Sequence, residues 1–344
     1  MGDTSIWIGM SGGVDSSLAA ALLAEQGLDC TGVTMVLGRG ATDSAASDDA
    51  ARVCKHLGIP HETIDLSAEF KADVIDATAT AYSRGQTPNP CVLCNASVKF
   101  GSLLARAREA GASLATGHYA RIVQSPAGPA LARAADASKD QTYFLYQLTS
   151  DDLAHVIFPL GEFTKAQVRT MAAERGFADK HGKESQDACF LGKGGYSELV
   201  ARDHPEACDA GPILDEGGAI LGTHAGICRY TVGQRRGIGV ASAEPLYVLR
   251  MDAPLNAVIV GPQKRLAVSR IVASSVIWNR QDDSTRASVM VRYNASAIDA
   301  TVTRDGAHLI AKTDAPILGV APGQSLVCYN GDIVIGGGII EEAS

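Results

Sequence analysis

The stretch Gly9-Met10-Ser11-Gly12-Gly13-Val14-Asp15-Ser16-Ser17 decides the fold. The apolar run 6–10 before it reads as a buried strand. The alanine- and leucine-rich run 16–26 after it reads as a helix, closed by Gly27. Gly12 and Gly13 let the backbone curl so that successive N–H groups point at one anion, and the helix adds its positive end. Ser11, Ser16 and Ser17 offer hydroxyl donors, and Asp15 is the natural ligand for a Mg²⁺ carried by a nucleotide. No Gly-Lys-Ser/Thr is present, so this is not the Walker loop.

Outward from this loop the first half alternates. Strands are expected at 31–37, 61–66 and 113–117, and helices at 48–57, 68–84, 91–110 and 164–175. Strand-helix alternation implies a parallel sheet with helices on both faces and ligands at the carboxyl ends of its strands. After about residue 210 the texture changes to short Val-, Ile- and Tyr-rich segments punctuated by Gly and Pro, as in an all-β module, a small barrel. The fold class expected is α/β, with domains at 1–195 (nucleotide-binding and catalytic), 196–264 (small, central) and 265–344 (β-barrel-like).

The chain has 344 residues, 46% hydrophobic and 20% charged, enough to build a sizeable core in two or three domains. No apolar run approaches a membrane span, and the first residues are not built as a signal peptide, so no membrane contact and a cytoplasmic location are expected. A formal net charge of −8 speaks against a nucleic-acid binder, yet an acidic protein can carry a basic groove. The turn Gln234-Arg235-Arg236, flanked by Gly233 and Gly237, reads equally as a phosphate grip or a solvated loop.

Eight cysteines are unevenly spaced, which does not suggest a disulfide framework. Cys30, Cys54, Cys208, Cys228 and Cys328 are expected as small buried hydrophobes. Cys91 and Cys94 differ. In Thr87-Pro88-Asn89-Pro90-Cys91-Val92-Leu93-Cys94-Asn95, Asn89 is a good N-cap and Pro90 suits the first helical position. Both thiols then share a face near a helix N-terminus, where thiols ionise more easily and can react or bind metal. A structural zinc site would need four ligands, and no second pair is spaced to complete one. On local grounds Cys189 reads as a buried spectator.

The loop at 11–17 looks like the S-G-G-x-D-S loop of ATP pyrophosphatases, which cut ATP between the α and β phosphates and leave AMP on a carbonyl oxygen. The whole chain resembles the bacterial and mitochondrial tRNA-specific 2-thiouridylases. The resemblance is carried by S-G-G-V-D-S-S (11–17), T-P-N-P-x-x-x-C-N (87–95), G-H-Y-A-R (117–121) and K-D-Q-T-Y-F-L (139–145). It continues through E-S-Q-D-x-C-F (184–190), T-V-G-Q-R-R-G-I-G (231–239), V-R-Y (291–293) and P-G-Q (322–324).

The resemblance implies an adenine nucleotide alpha hydrolase-like domain in which Gly9, Met10, Ser11, Gly12, Gly13, Val14, Asp15 and Ser16, with Met35 and Gly117, surround ATP and its Mg²⁺. It implies Cys189 as the persulfide carrier and Cys94 as the nucleophilic or resolving cysteine. It puts Asn89, Pro90 and Cys91 beside the flipped-out base, and His118, Lys139, Asp140, Gln141, Arg292, Tyr293 and Gln324 on tRNA. The implied product is 2-thiouridine at the wobble position of lysine, glutamate and glutamine tRNAs. The implied sulfur donor is a cysteine desulfurase or a sulfur relay protein.

One departure stands out: many members carry Asp where this chain has Cys91. Three thiols, Cys91, Cys94 and Cys189, could instead hold a [4Fe–4S] cluster with one open iron, so two sulfur routes stay open. Among residues read locally, His118 could equally be a packed core histidine, and Lys139-Asp140 a surface ion pair. The rival functions are a small-molecule synthetase with the same loop, which needs neither Cys94 nor Cys189, and a tRNA-binding protein without catalysis.

Overall fold

The computed structural model describes residues 5–177, 188–192 and 194–344. Glu184 to Asp187, part of the E-S-Q-D-x-C-F motif, lie outside the described residues; Cys189 lies inside. The chain divides into two compact units: Met1–Val74 with Cys91–Gln186 and Asp332–Val334, and Ile75–Pro90 with Asp187–Gly331 and Ile335–Ser344.

The first unit is built on a parallel sheet. Its strands are β1 (Ser5–Gly9), β2 (Cys30–Val36), β3 (His61–Asp65) and β4 (Ala112–Thr116); the short β7 (Val156–Ile157) lies at its edge. Their order is β3-β2-β1-β4-β7, all parallel. The chain steps outward from β1 through β2 to β3 and then returns to the other side of β1 as β4. The direction of winding therefore reverses between β1 and β4, where open α/β sheets bind ligands.

Helix α1 (Val14–Ala24) is buried on more than one side, as a helix rich in Ala and Leu all round should be. Ala20 and Leu23 pack with Ile6, Ile8, Met10 and Ala115 of the sheet and with Ala50 and Cys54 of α2 (Ala41–Leu57). Leu18, Ala19 and Ala21 pack with Leu160, Val168, Ala172 and Phe177. Helix α2 begins seven residues before the expected 48. The reason is Asp43, whose buried carboxylate accepts from the amides of Leu37 (2.9 Å) and Arg39 (2.7 Å) and from the Arg39 side chain. Burial pushes the Asp43 carboxyl up, but these bonds and the Arg39 charge outweigh it and hold it below the usual range. The two long helices expected at 68–84 and 91–110 both contain a widened π segment, Lys71–Asp76 and Cys94–Leu103. A hairpin that sequence reading did not foresee, β5 (Arg121–Ser125) and β6 (Gly128–Ala132), pairs through Ala132 with Ile333.

The second unit holds two β modules. Strands β8 (Ala210–Leu214), β9 (Ile220–Ala225), β10 (Leu246–Asp252) and β11 (Ala257–Pro262) form a sheet in the order β10-β11-β8-β9. Its core takes in Val200 and Tyr82, and the Tyr82 ring stacks on Tyr196 at 4.7 Å. The strands β12 (Ala267–Trp278), β13 (Ser284–Met290), β14 (Ile298–Asp305), β15 (His308–Leu318), β16 (Ser325–Asn330) and β17 (Ile333–Ala343) follow in the order β12-β15-β14-β13-β16-β17. Strand β12 also pairs with β17, so the sheet closes into the expected barrel and leaves no free edge between them. No described helix is long and apolar enough to cross a membrane.

Candidate functional site

The carboxyl end of β1 runs into the loop that the sequence singled out. Met10 is buried, and its N–H donates to Val33 O of β2 at 2.8 Å, so it contributes backbone rather than side chain to the loop. Ser11 is exposed, and Gly12 turns the chain at φ +75°. Gly13 is the N-cap of α1 and brings no side-chain cap, so the first N–H groups of the helix face outward without an intrahelical acceptor. Two hydroxyls fix this shape. Ser16 Oγ donates to Gly13 O (3.0 Å) and accepts from Ser11 N (3.2 Å), and Ser17 Oγ also donates to Gly13 O (2.9 Å). The result is a pre-shaped anion cradle at a helix N-terminus.

Gly117, directly after β4, closes the cradle from the neighbouring strand. A Cβ there would stand 2.9 Å from both Asp15 C and Ser16 N, so no other residue fits beside the first turn of α1. Val14 packs against the core around α1, and Met35, near the end of β2, is half-buried. The loop thus presents backbone and hydroxyl donors, which suits a nucleotide polyphosphate, and its glycines leave room for close approach.

Asp15 is where the structure adds most. Its carboxylate takes both oxygens to Lys165 Nζ at 2.8 Å and accepts from the Tyr119 hydroxyl at 2.8 Å, and the ammonium also lies 5.5 Å from the Tyr119 ring centroid. Sequence reading missed Lys165 and Tyr119. A signal for Lys165 was available. It is the first residue of the helix Lys165–Glu174, after the Thr164 capping box, where the helix dipole disfavours a cation. A lysine in that place needs an acid partner, but the partner is 150 residues away in sequence.

Around the end of β4, His118 proves to be both site-adjacent and packed. Its ring lies against Phe100 and Phe158, Thr116 Oγ1 is 2.7 Å from Nδ1, and Lys99 Nζ is 3.5 Å from Nε2. An ammonium can only donate, so Nε2 keeps its lone pair and Nδ1–H donates to Thr116. Burial, and then the Lys99 charge, hold the imidazole well below its usual pKa, so it is neutral. The folded state therefore refuses a proton that the unfolded chain accepts below about pH 6.5. Stability should fall as pH drops below that value, and His118→Gln should flatten this part of the curve. Tm measured from pH 7.5 to 5 checks this; equal slopes for the two proteins would contradict it.

Several residues expected on RNA also brace the fold. Asp140 is buried, and its carboxylate accepts from Ala134 N (3.0 Å), Thr142 Oγ1 (2.6 Å) and Arg133 (3.3 Å). That inward engagement corrects the reading of Lys139-Asp140 as a surface ion pair; Lys139 itself is half-buried in the turn. Gln141 exchanges two bonds with Tyr119, Oε1 accepting from Tyr119 N (2.8 Å) and its N–H donating to Tyr119 O (2.9 Å). In the second unit Gln324 Nε2 donates to Thr87 O (2.7 Å), and Thr87 N donates to Pro322 O (2.8 Å). P-G-Q therefore anchors the start of the T-P-N-P segment. Arg292, by contrast, is exposed, and Tyr293 beside it is half-buried.

The T-P-N-P segment leads into a helix whose first residue is Pro90, as its fixed φ favours, with Asn89 half-buried before it. Cys91 is exposed and Cys94 partly buried, at the junction where the helix widens into its π segment. Such widened turns concentrate at functional sites. Cys189, in the second unit, is exposed rather than the buried spectator of the local reading, so its thiol is open to reagents. Cys30, Cys54, Cys228 and Cys328 are buried as expected, and burial raises the Cys54 thiol to about 11 and the Cys328 thiol to about 12. Among the described residues no three Cys, His, Asp or Glu side chains group as metal ligands.

Comparison with known proteins agrees with this layout. Residues 4–193 match the tRNA methyl transferase HUP domain, 198–262 the tRNA methyl transferase PRC-barrel domain, and 268–340 the aminomethyltransferase beta-barrel domain. The tRNA-specific 2-thiouridylase MnmA of Rhodospirillum centenum is 43% identical over 99% of this chain and 92% of its own length. The corresponding protein of Roseiflexus castenholzii is 44% identical over 97% and 98%, and that of Chloroflexus aggregans 45% over 98% and 98%. Among solved structures, NMN synthetase from Francisella tularensis aligns over 59% of this chain and 77% of its own at a TM-score of 0.36 and 18% identity, too slight a likeness to bear on function. Near-complete coverage on both sides, at this identity, leaves one conclusion: the chain belongs to the tRNA-specific 2-thiouridylase family.

Proposed function

We propose that this chain is an ATP-consuming tRNA uridine 2-sulfurtransferase, and that its target is the C2 oxygen of the wobble uridine. The observation that carries the reading is the anion cradle at the reversal between β1 and β4, in a chain of this family that also presents accessible thiols at Cys91, Cys94 and Cys189. A methyl transfer, which the descriptions of two matching domains mention, would need neither a polyphosphate cradle nor reactive thiols.

The chemistry follows from the weakness of the uracil C2 carbonyl as an electrophile. ATP arrives as its Mg²⁺ complex. The amides at the start of α1 and the hydroxyls of Ser11 and Ser16 hold the phosphates, with Met35 and Gly117 on the nucleotide's flanks. The uracil oxygen attacks the α phosphorus, pyrophosphate leaves, and the base carries AMP as a leaving group. Charge developing on pyrophosphate meets the helix end and Lys165. Asp15, freed from Lys165, turns its carboxylate to the Mg²⁺ of the substrate.

The base must leave its stack to reach the site, which costs least in a single-stranded anticodon loop. Asn89, Pro90 and Cys91 form its border, with Cys91 taking the place of the acid found in many relatives. A persulfide on Cys189, loaded by a cysteine desulfurase or relay protein, attacks C2 and AMP departs. Cys94 then attacks the remaining sulfur–sulfur bond. The uridine keeps the terminal sulfur, Cys94 and Cys189 become a disulfide, and an external thiol reductant resets both. A [4Fe–4S] cluster would require three grouped thiolates, which the described residues do not present.

The lysine, glutamate and glutamine tRNAs are the substrates we assign, gripped through Arg292, Tyr293 and Lys139 and through a further turn. Arg235 and Arg236 are exposed on a turn that Gln234 stiffens, its Oε1 accepting from Thr231 N (3.2 Å) and its Nε2 donating to Arg236 O (2.9 Å). Two arginines held on a stiff turn suit an RNA phosphate and give an acidic chain a local positive charge. Replacing both with Glu should raise the KM for tRNA about tenfold or more and reduce the salt slope of binding by about two, leaving the KM for ATP unchanged. An unchanged salt slope would make the turn a solvated loop. For the whole reading, the test is pyrophosphate release: it should depend on unmodified tRNA. Release that a small carboxylate or amide acceptor stimulates and tRNA does not would favour a small-molecule synthetase.

A further inference from the structure

Two cysteines that sulfur transfer does not use lie together in the second unit. Cys208 closes the short 3₁₀ turn Pro205–Cys208, and Cys228 sits in the turn Ile227–Arg229. Their Sγ atoms are 3.2 Å apart, well inside the contact distance of two sulfurs. The approach is built into the backbone. Gly226 has φ +107°, and a Cβ there would lie 2.7 Å from Cys208 Cα, so the second turn can press onto the first only because this residue has no side chain. Cys228 belongs to an apolar core with Val200, Ala207 and Ile227, and Cys208 packs against it. They differ in access: Cys208 is partly exposed, whereas Cys228 is buried and its thiol is pushed up to about 12, first by burial and then by its bond to Cys208.

We propose that Cys208 and Cys228 are a redox-active thiol pair, a modification site distinct from Cys91, Cys94 and Cys189, which a peroxide converts to an intramolecular disulfide. In the first step the Cys208 sulfur attacks hydrogen peroxide. The oxygen–oxygen bond breaks, a sulfenic acid forms and one water leaves. In the second, the Cys228 sulfur attacks the Cys208 sulfur, giving up its proton to the departing hydroxyl. The sulfur–sulfur bond forms and a second water leaves. Two thiols are oxidised by two electrons in all, and one peroxide is reduced to two waters. The access difference sets the order: Cys208 meets the oxidant and Cys228 resolves it. The bond would close a loop running from the turn after the helix Gly195–Asp203 to the turn after β9, and thereby hold that helix to the sheet.

A convenient feature of the sequence allows a direct test. No Lys or Arg lies between Arg202 and Arg229, so trypsin releases both cysteines in one fragment, 203–229, and cleavage at Asp215 or Glu216 separates them. The reduced full-length protein is treated with equimolar hydrogen peroxide, capped with iodoacetamide and digested. The expected fragment is uncapped and lighter by two hydrogens, and acid-residue cleavage leaves two pieces that part only on reduction. The oxidised protein should also melt about 5 °C higher. Cys228→Ser should leave Cys208 trappable as a sulfenic acid by dimedone, and Gly226→Ala should slow the bond at least tenfold. A fragment capped at both cysteines, at a dose that already oxidises Cys91, Cys94 or Cys189, would overturn the proposal. So would a link from Cys208 to any other cysteine.

Discussion

Cys189→Ser is expected to abolish sulfur transfer while ATP binding stays within about twofold of the parent. The side chain is exposed, so its loss removes the sulfur carrier and is expected to leave the nucleotide site as built. Serine cannot hold a persulfide, so the deficit should be total rather than partial. The adenylation half-reaction separates the two steps. The variant should still release pyrophosphate in the presence of tRNA and stall with AMP on the base. Cys94→Ser should differ from it. It retains a carrier, so one stoichiometric turnover can occur if an added thiol, in place of Cys94, attacks the Cys189 sulfur and breaks its bond to the sulfur now on the uridine. Thiolation by Cys189→Ser at the parental rate would remove Cys189 from the mechanism.

Lys165→Met is expected to lower kcat/KM for ATP by about 10²–10³-fold, the usual loss when one preorganised charge is removed from a developing anion. In the structure Lys165 is the counter-charge of Asp15, holding both carboxylate oxygens at 2.8 Å. Methionine keeps the length of the side chain and its packing near Tyr119 but leaves Asp15 with only the tyrosine hydroxyl. Lys165→Arg should recover part of the activity, because the charge remains while the geometry changes. Pre-steady-state pyrophosphate release reads the adenylation step alone. If Lys165→Met changed only the KM for tRNA, the lysine would belong to the RNA surface and not to the phosphate site.

The phosphate loop was legible because it is local: two glycines and three hydroxyls between a buried strand and an alanine-rich helix leave few alternatives. The barrel was legible from the spacing of its short strands, though not its closure through β12 and β17, which depends on residues far apart in the chain. The helix expected from 48 starts at Ala41 because Asp43 and its backbone partners, which seed it, form a buried cluster that no periodicity announces. The hairpin β5–β6 carries Gly128 and Pro129 in its second strand, residues that weaken the local strand signal.

The site residues divide in the same way. Ser16, Gly12 and Gly13 lie in the strand–loop–helix turn where the sequence put them. Asp140, Gln141 and Gln324, assigned to tRNA by the resemblance, also brace the backbone, Gln324 across 237 residues to Thr87. A polar residue in a motif can serve a ligand or hold the loop that serves it, and only the partner atoms tell which. Lys165 is the converse case: its charge conflict with the helix end was visible in the sequence, while the carboxylate that resolves it was not.

The most direct measurement is nucleoside mass spectrometry on unmodified glutamate tRNA incubated with the purified full-length chain, Mg²⁺, a cysteine desulfurase with cysteine, and a thiol reductant, with and without ATP. Appearance of 2-thiouridine at the wobble position only when ATP is present is the expected result. Tightly bound tRNA that gains no sulfur with ATP and a competent donor both present would contradict it, and would leave a tRNA-binding protein in place of an enzyme.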